Sequence, residues 1–185
     1  MLFRFSLLSE DEGCLERRLF ESSTRDPLTG LLNRGTLGQR LDRLLGEAQR
    51  TGRPFAVMMI DLDRFKRIND LCGHPAGDAV LCKIARAITR TVRTGDLVGR
   101  YGGEEFAIIA ASTTAAQATA LAERVCRAIA EVRVPVQGGQ AATTASVGVV
   151  SSTERDGSSG LDLLDLADQR MYSAKQIGGN RVRAW

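Results

Sequence analysis

Two short acidic stretches in this sequence could do chemistry together. Asp61-Leu62-Asp63 closes an almost continuously apolar run from Phe55 to Leu62, and Glu104-Glu105 follows the pair Gly102-Gly103. An apolar run of that kind suits a strand covered on both faces. The two-residue period of a strand puts Asp61 and Asp63 on one side. The strand-like runs Asp96 to Tyr101 and Phe106 to Ala111 flank the second stretch. Two glycines between two strands predict a tight hairpin, because glycine reaches positive φ without steric cost. Carboxylates crowded on such a tip repel unless a cation or ligand separates them. Hard oxygen ligands suit Mg²⁺ or Mn²⁺, with substrate phosphates completing the shell. If the two strands are neighbours, Asp61 and Glu104 can share a metal over a nucleotide, the arrangement phosphoryl and nucleotidyl transfer needs. Spacing alone leaves a plainer reading open, in which Asp63 caps the next helix and Glu104 is a solvated turn residue.

Between these stretches lies Phe65-Lys66-Arg67-Ile68-Asn69-Asp70-Leu71-Cys72-Gly73-His74-Pro75-Ala76-Gly77-Asp78. Lys66 can meet phosphate as a point charge. Backbone N–H groups at the start of a helix over 64–71 can do the same. Asn69 and Asp78 flank a Gly-rich bend, and an amide with a carboxylate can read the edge of guanine. Turn capping by Asn69 and N-capping of a helix over 79–92 by Asp78 are the alternatives. His74 taken alone fits a structural hydrogen-bonding role.

These residues need a frame, and the hydrophobic spacing supplies one. Leu37, Leu41, Leu44, Leu45 and Ala48 fall at helical intervals and are stopped by Thr51-Gly52-Arg53-Pro54. Gly73 and Pro75 are expected to break the 64–71 helix. Val80, Ile84, Ile88 and Val92 stripe the next helix, and Ala118, Leu121, Ala122, Val125 and Ile129 another. Val132 to Val136 and Ala141 to Val150 read as strands joined through Gly138-Gly139. After a polar loop over 151–160, Leu163, Leu164, Ala167, Met171 and Ala174 mark the last helix. Gly178-Gly179 closes it, and a short strand from Arg181 to Ala184 follows. Residues 1–24 read as a lead-in or linker helix, and 25–185 as one domain. Alternating helices and strands with hairpins predict an α/β fold, a mixed central sheet with helices on its faces.

Composition narrows the class. The 185 residues are 43% hydrophobic and 25% charged, ordinary for a globular domain. The net charge of +3 is too mild for nucleic-acid wrapping and compatible with a small anionic ligand. Four cysteines, Cys14, Cys72, Cys82 and Cys126, form no C-x-x-C pair, and His74 is the sole histidine, so buried reduced thiols are expected rather than zinc. No apolar run approaches a membrane span. The N-terminal Met1-Leu2-Phe3-Arg4 makes a poor signal peptide, and the chain reads as cytoplasmic, with no membrane partner.

From Arg25 to the C-terminus the sequence resembles the GGDEF family, the diguanylate cyclases. The resemblance rests on five ordered motifs: Asp26 to Arg34; Asp61 to Lys66 with Asn69-Asp70 and Gly73 to Asp78; Arg100 to Phe106; Ser146-Val147-Gly148; and Ala167-Asp168 with Met171-Tyr172 and Ala174-Lys175. It implies a palm-like sheet of the nucleotidyl cyclase kind. It implies Mg²⁺ held by Asp61, the Leu62 carbonyl and Glu104. Guanine would be read by Asn69 and Asp78, with His74 in the same loop. The phosphates would be held by Lys66, Lys175 and the backbone near Phe65, with Gly102 and Gly103 admitting the triphosphate. Glu105 would help activate the 3′-hydroxyl or bind metal, and Arg100 would neutralise charge on the reacting phosphate. The implied reaction joins two GTP into cyclic di-GMP with release of two pyrophosphates, across a homodimer. Arg93 and Asp96 match the family's R-x-x-D product-inhibition site, with Arg124 as an added contact. Gly179 stands where the family often has Arg, so one phosphate contact is missing or passes to Arg181; Arg170 stands where an apolar residue is common. The implied alternatives are a non-catalytic GGDEF module acting as a receptor for GTP or cyclic di-GMP, and a nucleotidyl cyclase of other specificity.

Overall fold

The structure, a computed structural model, describes residues 23–154 and 158–184, so the expected lead-in over 1–24 lies almost wholly outside the described residues. The strand read from Phe55 to Leu62 forms as β2, Ala56–Leu62, and every residue of it is buried. β2 lies inside a six-stranded sheet, paired along both of its edges. The other strands are β1 Leu32–Asn33, β3 Leu97–Arg100, β4 Glu105–Ala110, β7 Ala145–Ser151 and β8 Arg181–Arg183, in the order β1-β3-β4-β2-β7-β8. β2 runs antiparallel to β4 and β7, β3 antiparallel to β4, and the outer pairs β1–β3 and β7–β8 are parallel. The sheet is therefore mixed, as the α/β reading requires.

The strand period sorts the side chains of β2 onto two faces. Phe55, Val57 and Met59 meet α1, Arg34–Thr51, through Leu37 and Leu41, and α5, Gly160–Gln176, through Leu163, Leu164, Ala167 and Met171. Ala56, Met58, Ile60 and Leu62 face the other way, onto α2 (Phe65–Cys72), α3 (His74–Thr91) and α4 (Ala115–Ala130). Gly148 of β7 lets α5 lie directly on the sheet: a Cβ there would stand 1.9 Å from the Ala167 carbonyl oxygen and 2.4 Å from the Met171 nitrogen. The helix ends follow their residues. The Asn33 side chain caps α1 by accepting from the Thr36 amide, and Gly52 closes α1 at φ 69. Thr114 with Gln117, and Ser159 with Asp162, form capping boxes on α4 and α5.

Four local expectations change. Pro75 starts a helix instead of breaking one: α3 begins at His74 with Pro75 in its first turn, where the missing N–H has no partner to lose. Asp78 is thus inside α3 and caps nothing. Ala141 to Val150 is two strands. β5, Val134–Val136, and β6, Gly139–Ala141, form a separate hairpin. The chain is then drawn to Asp63, whose amide donates to the Thr144 carbonyl at 2.8 Å and whose carbonyl accepts from the Thr143 hydroxyl at 2.7 Å, before β7 begins. Of the described cysteines only Cys126 is buried; Cys82 is half-buried and Cys72 exposed. Arg170 uses its charge at the sheet margin, donating to the Val149 carbonyl and to Glu154, both at 2.6 Å. Among the described residues no helix is long and apolar enough to cross a membrane.

Candidate active site

The α1/α5 face of the sheet carries the acids. Asp61, the sixth residue of β2, pairs with Glu105, the first of β4, so the two side chains stand next to each other on that face. Glu104 precedes β4, and its carbonyl accepts the Leu62 amide at 3.4 Å. Lys175 of α5 brings its ammonium 2.6 Å from Asp61 Oδ1. That contact is an ion pair set off the line of a good hydrogen bond, so Oδ1 is buried with no hydrogen-bond partner among the described residues. Burial pushes the Asp61 carboxyl up, Lys175 pulls against it, and the charges of Asp63 and Asp168 push further up. Glu104 is raised by burial, then by Asp61 and Glu105, against Lys175. Glu105 is raised by burial, then by Asp61 and Asp168, against Lys175 and Arg34. Asp61 is thus the leading neighbouring charge at both glutamates.

A concentration of carboxylates that push one another's values up fits a divalent cation. Among the described residues no three acidic, imidazole or thiol side chains close on one point. A metal at this position would take two carboxylates, Asp61 and Glu104, and complete its shell from the Leu62 carbonyl and a ligand.

The hairpin tip owes its shape to residues other than those expected. Neither Gly102 nor Gly103 has positive φ. Gly102 leaves room for the Glu105 carboxylate: a Cβ would fall 2.3 Å from Glu105 Oε2, the mobile end of that side chain. Gly103 has nothing within 4 Å of such an atom, leaving its backbone open to approach. Arg100 is turned inward. Its Nε and Nη2 donate to the Gly103 carbonyl at 3.1 and 2.7 Å, and its Nη1 to both Asp26 oxygens at 3.2 and 3.1 Å. Burial alone would raise Asp26, but the Thr29 hydroxyl and amide and the Arg100 charge outweigh it and hold the carboxyl below its ordinary value. Asp26 and Arg100 together brace the tip, a role that no spacing argument assigned to them.

On the other side of the β2 end, Asn69 of α2 lies against Gly77 of α3, where a Cβ would come 1.9 Å from Asn69 Oδ1. Asp78, the residue after Gly77, is exposed. His74 is exposed at the start of α3 and Lys66 on α2, while the Phe65 ring is 4% exposed and belongs to the core, leaving only its backbone for ligand. The expected phosphate side is a hollow of ≈ 210 Å³ lined by Asp63, Arg64, Lys175, Gly178 and Gly179; Lys66 is not part of its lining. Asp63 does not cap α2. It accepts from the Thr144 and Ser146 hydroxyls and the Asn180 amide, at 2.5, 2.7 and 2.8 Å, and so latches the turn between α5 and β8 to the sheet. Gly179, at φ 69, fits because a Cβ would lie 2.8 to 2.9 Å from the Asp63 carboxyl atoms. Arg181 donates to the Gly179 carbonyl at 2.9 Å, so the guanidinium stays beside this hollow.

Arg93, Asp96 and Arg124 also meet. They line one cavity of ≈ 270 Å³ with Thr113, Gln117, Ala120 and Leu121. Arg93 pairs with Asp96 at 3.1 Å and donates to Thr113 at 2.7 Å and to the Ala111 carbonyl, and Arg124 donates to the Thr91 carbonyl at 2.8 Å. Two further neighbours of the acids had no role assigned from the sequence: Asp168, two helical turns before Lys175 on the same face of α5, and Arg34. The seven-residue spacing of Asp168 and Lys175 is the signal that could have exposed the first.

The family model for the diguanylate cyclase GGDEF domain matches residues 23–181. Diguanylate cyclase DosC of Escherichia coli (strain K12) is 37% identical over 182 residues, which cover 92% of this chain and 38% of that protein. Among solved structures, diguanylate cyclase SiaD of Pseudomonas aeruginosa, determined in complex with its activator SiaC, superposes with a TM-score of 0.85 at 38% identity, covering 94% of this chain and 66% of that one. The coiled coil and GGDEF domain of DgcB from Caulobacter crescentus, in complex with c-di-GMP, superposes with a TM-score of 0.87 at 30% identity, covering 95% and 93%. The chain belongs to the GGDEF family. It spans less than two fifths of the length of the curated relative it matches.

Proposed function

We propose that this domain, residues 25–185, is a magnesium-dependent diguanylate cyclase that condenses two GTP into cyclic di-GMP. The observation that carries the reading is the gathering of Asp61, Glu104 and Glu105 by the β2–β4 register, with Lys175 2.6 Å from Asp61. Asp61, Glu104 and the Leu62 carbonyl hold Mg²⁺ or Mn²⁺, which when bound neutralises developing charge and lowers the cost of an alkoxide nucleophile. Asn69 and Asp78 read guanine. Lys175 and the backbone at Phe65 hold the triphosphate, and the open backbone at Gly103 admits it. Each domain carries one GTP, and two domains face each other as a homodimer. The 3′-oxygen of one GTP bonds to the α-phosphorus of the other, and the bond to the β-phosphate bridging oxygen breaks, releasing pyrophosphate. Glu105, raised by burial, accepts the 3′-hydroxyl proton. The reaction repeated in the opposite sense closes the ring. Facing domains supply orientation that free nucleotides lack.

Product returns to the cavity of Arg93, Asp96 and Arg124, where guanidinium groups stack on guanine and pair with phosphate. The reaction belongs in the cytoplasm, where GTP is available. The test is incubation with GTP and Mg²⁺ over a range of protein concentrations, with cyclic di-GMP read by chromatography. Glu104→Gln should lower turnover by at least roughly 10²-fold with the fold intact. Near-wild-type turnover of that variant would refute the assignment. GTP binding without any product would mark a receptor instead.

A further inference from the structure

Arg34 is the first residue of α1, and its guanidinium carbon stands 4.5 Å above the centroid of the Tyr101 ring. That distance is within cation–π range. Tyr101 packs against the core between α1, α5 and the sheet, so the platform is fixed. Arg34 itself is exposed, and among the described residues its guanidinium makes no hydrogen bond and no ion pair. The contrast with the arginines already described is sharp: Arg93, Arg100, Arg124 and Arg170 all spend donors on named acceptors. Among the described residues Arg34 is therefore a held cation whose N–H groups go unused. Its charge is felt at Glu105. α1 has no acid in its first turn, so nothing in the helix itself compensates a cation at its positive end.

The position of this cation relative to Lys175 gives it meaning. Lys175 approaches the Asp61–Glu105 pair from α5 and lines the phosphate hollow with Gly178 and Gly179. Arg34 approaches from α1, on the side of the β3–β4 hairpin. The two cations thus reach the site from different helices, Lys175 acting on all three acids and Arg34 on Glu105. A triphosphate held in the Lys175 hollow does not need Arg34.

We propose that Arg34 is a substrate-binding residue that donates its free guanidinium N–H groups to a phosphate of the nucleotide brought by the facing domain. This rests on the cyclase reading above. Arg34 favours the pairing of two loaded domains as well as the chemical step. The planar fork matches a phosphate bidentately and stacks on tyrosine, which lysine does not reproduce.

Three measurements on the 185-residue chain test it. Arg34→Ala should lower kcat for cyclic di-GMP by roughly 10²-fold, and Arg34→Lys should recover only part of the loss. Binding of a GTP analogue with a methylene α,β-bridge, measured at protein concentrations too low for pairing, should be unchanged within about twofold, and Tm should stay within about 2 °C. In sedimentation, the analogue with Mg²⁺ should drive the wild-type chain toward dimer, and Arg34→Ala should need roughly tenfold more protein for the same shift. Turnover within threefold of wild type, an analogue affinity that falls as far as turnover, or an unaltered dimer shift would each overturn the proposal. A wild-type chain that pairs with the analogue but makes no product sinks the cyclase reading and leaves Arg34 to stand or fall on the dimer shift. A wild-type chain that does neither sinks both.

Discussion

Replacing Gly148 with alanine tests the link between the sheet and the site at one atom. The added Cβ would lie 1.9 Å from the Ala167 carbonyl oxygen and 2.4 Å from the Met171 nitrogen, both backbone atoms of α5, so no rotamer can relieve it. Ordinary van der Waals contact begins at 3.4 Å and real Cβ contacts essentially never fall below 3.0 Å, so α5 must retreat by about 1.1 to 1.5 Å. Lys175 follows Met171 by one turn of the same helix, and a shift of that size directed away from the sheet stretches its 2.6 Å contact with Asp61 to about 3.7 to 4.1 Å, the outer limit of an ion pair. Overpacking of this kind costs about 2 kcal/mol, which at this chain length lowers Tm by about 4 to 8 °C. A displacement of about 1 Å at a catalytic group costs roughly 10²-fold in turnover. The assay is thermal unfolding followed by circular dichroism, alongside GTP turnover by chromatography. Gly46→Ala is the control. Gly46 lies inside α1 with nothing within 4 Å of an added methyl and no positive φ, so alanine should raise stability there by about 0.5 to 1 kcal/mol. Equal Tm values for the two variants would refute the reasoning.

Gly77→Ala should act on specificity: the methyl displaces the Asn69 amide, the flexible end of a side chain, so KM for GTP rises about tenfold with kcat within threefold. An unchanged KM would remove Asn69 from guanine recognition. Asp26, held below its ordinary value in the folded state, contributes stability that is present above its unfolded value and lost as pH falls through the folded one. The Tm gap between wild type and Asp26→Asn should therefore narrow from pH 7 toward pH 3; a constant gap argues against the brace. Asp61, Glu104 and Glu105 have the opposite sign, because their raised values mean that ionisation at neutral pH opposes folding. Mg²⁺ alone should raise Tm more at pH 8 than at pH 5, and the gain should vanish in Asp61→Asn; an equal gain in that variant places the metal elsewhere.

Period and local sterics made much of this protein legible from its sequence. The unbroken apolar run of β2, the helix stripes and the glycine stops needed only neighbours within a few residues, and the central acidic strand follows from them. Tertiary structure decided which groups meet. The β2–β4 register set Glu105, not Glu104, opposite Asp61. Asp63 became a latch because Asn180, 117 residues later, returns to it. Arg100 turned inward because Asp26, 74 residues earlier, is folded beneath the hairpin. Gly102 and Gly77 are glycine to make room for the Glu105 and Asn69 side chains rather than to bend the chain. Backbone preference acts over a turn or two and leaves a periodic trace in the sequence. A hydrogen bond or a close approach between distant segments depends on where the whole core places them, and one sequence carries no periodic mark of that.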